Sequence, residues 1–206
     1  MPTPPLRDIE SVATDLASRY PNLPAPALHR YLCEIVTWND RAGLVSKRST
    51  LPVLARLVDQ SARLWALIAE HKAVTAFVDV GTGGGFPGII WKLMVPDARA
   101  LLVERREKKA AFLGRTVAVL GLDRVDVFCG DARDAGHVES YSQAFDAAAT
   151  LAVALPEKTI PLIEPFLRKD GVFATLAARD HSPVNAAGMR LIASAADTGG
   201  TLCIYQ

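Results

Sequence analysis

The 206-residue chain has little cysteine, few aromatics and almost no net charge. Its three cysteines, Cys33, Cys129 and Cys203, are odd in number and far apart. No C-x-x-C pair occurs, so neither a disulfide framework nor a zinc site is expected, and a reducing compartment fits. Aromatic residues make up 7% of the chain against 50% for all hydrophobic types, which argues against an all-β sandwich and for helix-rich α/β packing. A formal net charge of +1 excludes a strongly basic or acidic tail but not a local basic patch. No apolar run approaches the roughly 20 residues that a membrane-spanning helix needs. The opening Met1-Pro2-Thr3-Pro4-Pro5 lacks the basic and apolar regions of a signal peptide. The histidines His29, His71, His137 and His181 show no metal-ligand spacing. The expectation is a cytoplasmic monomer with no metal and no membrane attachment.

What is present divides at Thr75. Before it, apolar residues recur at helical spacing. Ile9, Val12, Ala13 and Leu16 predict a helix over Leu6 to Arg19. Leu28, Leu32, Ile35 and Val36 predict a second over Ala27 to Asn39. A third, capped by Ser49 or Thr50, runs from Leu51 to Glu70. After it, short apolar runs alternate with helical patterns. Strands are expected at Ala76 to Val80, Ala100 to Val103, Val125 to Cys129, Ala144 to Thr150 and Val172 to Leu176. Helices are expected at Phe86 to Met94, Lys108 to Leu120 and Glu157 to Leu167. Arg190 to Ser194 and Thr201 to Tyr205 form a final hairpin through Asp197-Thr198-Gly199-Gly200. This pattern predicts a doubly wound, mostly parallel sheet with an antiparallel C-terminal edge. The proposed organisation is an N-terminal helical lobe, residues 1–74, on an α/β core, residues 75–206.

The stretch Asp79-Val80-Gly81-Thr82-Gly83-Gly84-Gly85-Phe86-Pro87-Gly88 leaves a strand and enters a helix. Glycines there permit a tight turn and let a ligand approach the backbone. Two readings compete. Gly83-x-Gly85-x-x-Gly88 matches the dinucleotide fingerprint, with a pyrophosphate on the helix N-terminus. Asp79-x-Gly81-x-Gly83-x-Gly85 resembles the acidic-x-Gly-x-Gly-x-Gly motif of class I S-adenosylmethionine-dependent methyltransferases, and uses more of the residues present. Glu104, ending the second strand, can accept hydrogen bonds from both hydroxyls of a ribose under either reading. Asp131, in Cys129-Gly130-Asp131-Ala132-Arg133 after the third strand, favours the second, because in that class an acid at this turn lies near the adenine amino group.

A closer resemblance follows from these residues and others. Gly81-Thr82-Gly83-Gly84-Gly85-Phe86-Pro87-Gly88 is similar to the G-T-G-x-G-x-P-G signature of the ribosomal small-subunit methyltransferase G family, also called glucose-inhibited division protein B. Trp38-Asn39 with Leu44, Leu57-Val58-Asp59, and Lys108-Lys109-Ala110-Ala111-Phe112-Leu113 resemble further segments of that family. The resemblance covers roughly residues 25 to 176. It implies a Rossmann-like class I methyltransferase fold, S-adenosyl-L-methionine as cofactor, and methylation of guanine N7 in 16S ribosomal RNA of the small subunit. The cofactor site it implies comprises Asp79, Gly81, Gly83, Gly85, Phe86, Glu104, Asp131 and Ala132, with Arg133 at its border.

This chain departs from the family where Gly43, Val45, Arg56 and Gln60 stand, at Asp131-Ala132-Arg133, at Leu151 in place of an arginine, and at Ala177-Ala178 in place of a Lys-Gly pair. Guanine N7 needs no deprotonation, and no side chain is assigned as catalytic acid or base. The candidates for RNA contact are Arg105, Arg106 and Lys108, beside Lys109 and Arg115, together with Arg48, which belongs to a second basic cluster with Arg41, Lys47 and Arg56. Trp38 and Trp91 sit at helical positions and are expected in the core. Three alternatives stand beside the leading one. The first is a paralogue acting on another RNA or a small molecule. The others are a non-catalytic S-adenosylmethionine-binding protein and an NAD-dependent oxidoreductase.

Overall fold

A computed structural model describes residues 6–46, 50–151, 156–178 and 188–206. Three helices come first: α1 (Leu6–Arg19), α2 (Ala25–Ala42) and α3 (Thr50–Ala69). The alternating part follows as β1 (Ala76–Val80), α4 (Gly88–Met94), β2 (Arg99–Glu104), α5 (Glu107–Leu120), β3 (Val125–Cys129), α6 (Ala132–Gly136), β4 (Phe145–Thr150), α7 (Pro156–Ile163), β5 (Leu167–Ala178), β6 (Leu191–Asp197) and β7 (Gly200–Tyr205). The seven strands form one sheet in the order β3-β2-β1-β4-β5-β7-β6. Strands β1 to β5 pair in parallel, while β7 runs antiparallel to both β5 and β6. The C-terminal strands are antiparallel as expected, but the last strand is inserted inside the sheet and β6 takes the edge.

Alternation along the strands explains the two faces. Phe77, Leu102, Ala147, Ala149, Ala174 and Ile204 face the core shared with α1 to α5. Val78, Val80, Leu101, Val103, Phe173 and Tyr205 face the core shared with α6 and α7. The helices before Thr75 thus share one cluster of buried residues with the sheet. Trp65, Phe77 and Trp91 meet edge to face at 5.4–6.4 Å, and the indole N–H of Trp91 donates to the Ser61 carbonyl at 2.8 Å.

Local chemistry sets the ends of these elements. Gly43 and Gly121 close α2 and α5 in the left-handed conformation. The helix read as Glu157 to Leu167 stops at Ile163, because Pro161 and Pro165 lack amide donors, and the chain passes through a 3-10 turn into β5. Helix α4 begins at Gly88 rather than Phe86, because the Gly85 and Phe86 amides are used by the Thr82 carbonyl in the turn before it. Short α6, missed in the sequence, starts where the Asp131 carboxylate caps the Arg133 amide at 2.9 Å. Ser49 lies outside the described residues, so a cap from it is not assigned.

At the start of the strands, Asp146 binds β1 to β4 and β5. It accepts from the Thr75 amide and hydroxyl, both at 2.8 Å, and from the Ala76 amide at 3.0 Å, and it pairs with Arg168. At the sheet's other edge, Asp197 accepts from Gln60 at 2.6 Å and from Arg63 at 2.7 Å, tying the β6–β7 turn to α3.

Candidate active site

A cleft of about 610 Å3 opens over the carboxyl ends of β1, β2, β3 and β4. In an open parallel sheet that is the expected ligand position, and the volume falls in the roughly 300–1,000 Å3 range of small-molecule sites. Its floor is the loop after β1. Gly81 (φ 73°) and Gly83 (φ 59°) hold left-handed backbone, while the Gly81 and Thr82 amides bond the Val103 carbonyl at 2.9 and 3.2 Å. The loop therefore lies over β2 with its main chain toward the cleft.

Glu104 is only 6% exposed, yet it lines the cleft. Its two oxygens accept from the Gly83 amide at 3.1 Å and the Arg106 amide at 2.8 Å. Those bonds fix the carboxylate against the loop and leave further lone pairs for a ligand diol. Lys109 leans over the same loop; burial lowers its pKa, against the pull of Glu104. Thr82 lines the cleft and is 2% exposed, and its hydroxyl sits beside the Asp79 carboxyl beneath the loop. The glycine-rich loop and the acid at the strand end fit a nucleoside ligand such as S-adenosylmethionine.

The structure assembles Gly81, Gly83, Phe86, Glu104, Asp131, Ala132, Arg105 and Arg106 around this cleft. Three other assigned residues lie outside the cleft lining. Asp79 is fully buried under the loop and accepts from the Gly88 amide at 2.8 Å, so it braces the turn rather than facing the cleft. Burial lifts its pKa to about 7, and the nearby Glu104 charge adds to the rise. Gly85 (φ 102°) packs inward, where a Cβ would stand 2.6 Å from Ile89 and 2.8 Å from the Tyr31 hydroxyl. Arg133 stands at the border, next to the lining residue Asp131. It turns back to grip Asp131 with Nε and Nη2 at 2.9 and 3.0 Å, which holds the Asp131 carboxyl well below the usual range. Lys108 is exposed on α5 outside the cleft, and Arg48 lies outside the described residues.

Other lining residues escaped the sequence reading. Leu44, Val45, Leu57, Lys158, Thr159 and Leu162 come from three separate segments and carry no local motif. Tyr31 on α2 supports the floor from behind by donating to the Gly84 carbonyl at 2.7 Å. The two basic clusters also prove to be neighbours. Trp38, half-buried and packed against the core, has the guanidinium carbons of Arg41 and Arg115 each 5.5 Å from its ring. Arg115 also pairs with Glu34 at 2.8 Å.

The departures divide by role. Gly43 caps α2, and Gln60 holds Asp197. Val45 lines the cleft and also donates its amide to Asn39 Oδ1 at 2.9 Å. Ala177 is buried in β5, whereas Leu151 lines the cleft.

Among solved structures, a putative O-methyltransferase from Klebsiella pneumoniae superposes with a TM-score of 0.63 at 17% identity, covering 97% of both chains. A putative methyltransferase from Escherichia coli gives 0.58 at 17% identity, covering 72% of this chain and 85% of the other. Sheet order, cleft position and these likenesses define a class I methyltransferase fold. The family model described as rRNA small subunit methyltransferase G matches residues 25–194. Two proteins named Ribosomal RNA small subunit methyltransferase G are among the relatives. That of Sorangium cellulosum is 34% identical over 171 residues, 82% of this chain and 71% of its own length. That of Moorella thermoacetica is 31% identical over 144 residues, 70% of this chain and 60% of its own length. This chain belongs to the rRNA small subunit methyltransferase G family, whose members are S-adenosylmethionine-dependent methyltransferases.

Proposed function

We propose that this chain transfers a methyl group to N7 of a guanine in 16S ribosomal RNA. The observation that carries the reading is that, among the described residues, each carboxylate at the cleft is already engaged by the protein. Glu104 is held by two backbone amides and Asp131 by Arg133, while Asp79 lies beneath the loop. An exocyclic amine or a ring N–H must lose a proton during methylation and calls for a base. Guanine N7 presents a bare lone pair. That pair forms the new N–C bond, the S–CH3 pair stays with sulfur, and no proton moves.

S-adenosylmethionine, when bound, supplies the electrophilic methyl group. The residues supply position, which is worth much of the barrier in such a displacement. Glu104 accepts the ribose hydroxyls, Gly81 and Gly83 let the ligand lie on the backbone, and Phe86 closes the inner end. Asp131 and Ala132 border the adenine. Arg105 and Arg106 at the mouth, with Lys108, Arg41 and Arg115 on the adjoining α2–α5 face, meet RNA phosphates. One observation favours a second reading, a paralogue with another RNA target: Leu151 puts an aliphatic side chain on the cleft wall where the family carries arginine.

The test is radiolabelled S-adenosylmethionine with small ribosomal subunits from a strain lacking the family's enzyme. Label at a single guanine N7 of 16S RNA is expected. Absence of label, with an active family member alongside, rejects this substrate.

A further inference from the structure

The cleft lining comes from unlike segments. The glycine loop with Glu104, Arg105, Arg106 and Lys109 is assigned above to the cofactor side. Away from it the lining includes Leu44, Val45 and Leu57 from before β1, Leu151 after β4, and Lys158, Thr159 and Leu162 from α7. Aliphatic side chains can cover the flat face of a base but cannot bond its edge or its backbone. Lys158 is the one charged side chain that α7 gives to the cleft among the described residues. It is exposed, and no described carboxylate pairs with it. It also sits in the first turn of α7, where the helix dipole disfavours a cation. The helix dipole does not hold the ammonium, which leaves it available to an anion in the cleft.

Two groups of an RNA nucleotide attract an ammonium: the O6/N7 edge of guanine and the phosphate. Methylation at N7 leaves a positive charge on the purine ring. An ammonium held against that edge would oppose the reaction, whereas one held on a phosphate would not. We propose that Lys158 holds the backbone phosphate of the target guanosine and thereby sets the base against the aliphatic side chains of the cleft. The proposal rests on the guanine-N7 reading above.

Wild type, Lys158→Met and Lys158→Arg are titrated with small subunits from the enzyme-lacking strain, in S-adenosylhomocysteine and at several KCl concentrations. Methylation kinetics are measured in parallel. Lys158→Met is expected to weaken subunit binding and raise KM about tenfold, with kcat nearly unchanged. Its log-affinity against log-salt slope should be shallower by about 0.7–0.9, the share of one phosphate contact. Lys158→Arg should recover most of the affinity, and S-adenosylhomocysteine affinity should stay constant across the three. Wild-type affinity and salt slope in Lys158→Met would overturn the proposal, as would a loss confined to kcat. If the wild type itself labels no subunits, the guanine-N7 reading fails and this inference fails with it. Those two failures are read from different arms.

Discussion

Asp146 and Asp79 are buried aspartates on adjacent strands, about 10 Å apart along the sheet. Asp146, near the start of β4, has four donors: two amides, a hydroxyl and a guanidinium. Burial pushes its pKa up, but the Thr75 amide and hydroxyl, Arg168 and the Ala76 amide outweigh it and hold the group below the ordinary value. Asp79, near the end of β1, has the Gly88 amide on one oxygen and the Thr82 hydroxyl beside it. Burial outweighs both, and its pKa rises to about 7. Asp146 is met by enough donors to stay ionised and so contributes stability. Asp79 is met by fewer, and it sits beneath the loop that floors the cleft.

The largest effect is expected at the satisfied end. Asp146→Ala strips the partner from two amides, a hydroxyl and Arg168, and should cost about 3 kcal/mol in urea unfolding at neutral pH. A loss under about 1 kcal/mol would erase the contrast between the two ends.

Asp79→Asn should act in the opposite direction. Its amide oxygen can still accept from Gly88, but it cannot ionise. A folded-state pKa raised to about 7 means that wild type loses stability as pH rises from the unfolded value near 4 to about 7. The variant escapes that loss, so its advantage should grow over this window and reach up to about 4 kcal/mol at pH 8. Unfolding curves at pH 5 and pH 8 check the sign. An equal difference at both would show that Asp79 ionises normally.

The smallest effect is expected at Arg133. Its side chain is 74% exposed and turned onto Asp131, so Arg133→Ala should change S-adenosylhomocysteine affinity by less than about twofold. A tenfold loss in calorimetry would place its guanidinium on the ligand and restore the assignment made from sequence.

The same contrast explains what could be read in the chain. Glycine spacing is local, and the conformations it permits at Gly81 and Gly83 follow from residues a few positions apart. The loop, the strand before it and Glu104 were therefore legible, as was the alternation of strands and helices. Which way each loop residue faces was not, because that depends on tertiary packing. Tyr31 and Ile89 draw Gly85 inward, and the Gly88 amide draws Asp79 under the turn. The rest of the cleft lining was invisible for a related reason. Leu44, Leu57, Lys158 and Leu162 come from segments far apart in the chain, and an isolated leucine or lysine carries no sign that the fold brings it to the cleft. The position of β7 inside the sheet was hidden likewise, since a hairpin motif does not say which of its strands takes the edge.

The most direct test of the account is calorimetric titration of wild type and Glu104→Gln with S-adenosylhomocysteine, and of wild type with NAD. Wild type should bind one S-adenosylhomocysteine and no NAD. Glu104→Gln should bind about 10- to 100-fold more weakly, because it loses a charged acceptor for the ribose hydroxyls, while its unliganded melting temperature falls only slightly. Equal affinity in the two proteins, or NAD binding in place of S-adenosylhomocysteine, would contradict the claim that the cleft over the carboxyl end of the sheet is the S-adenosylmethionine site.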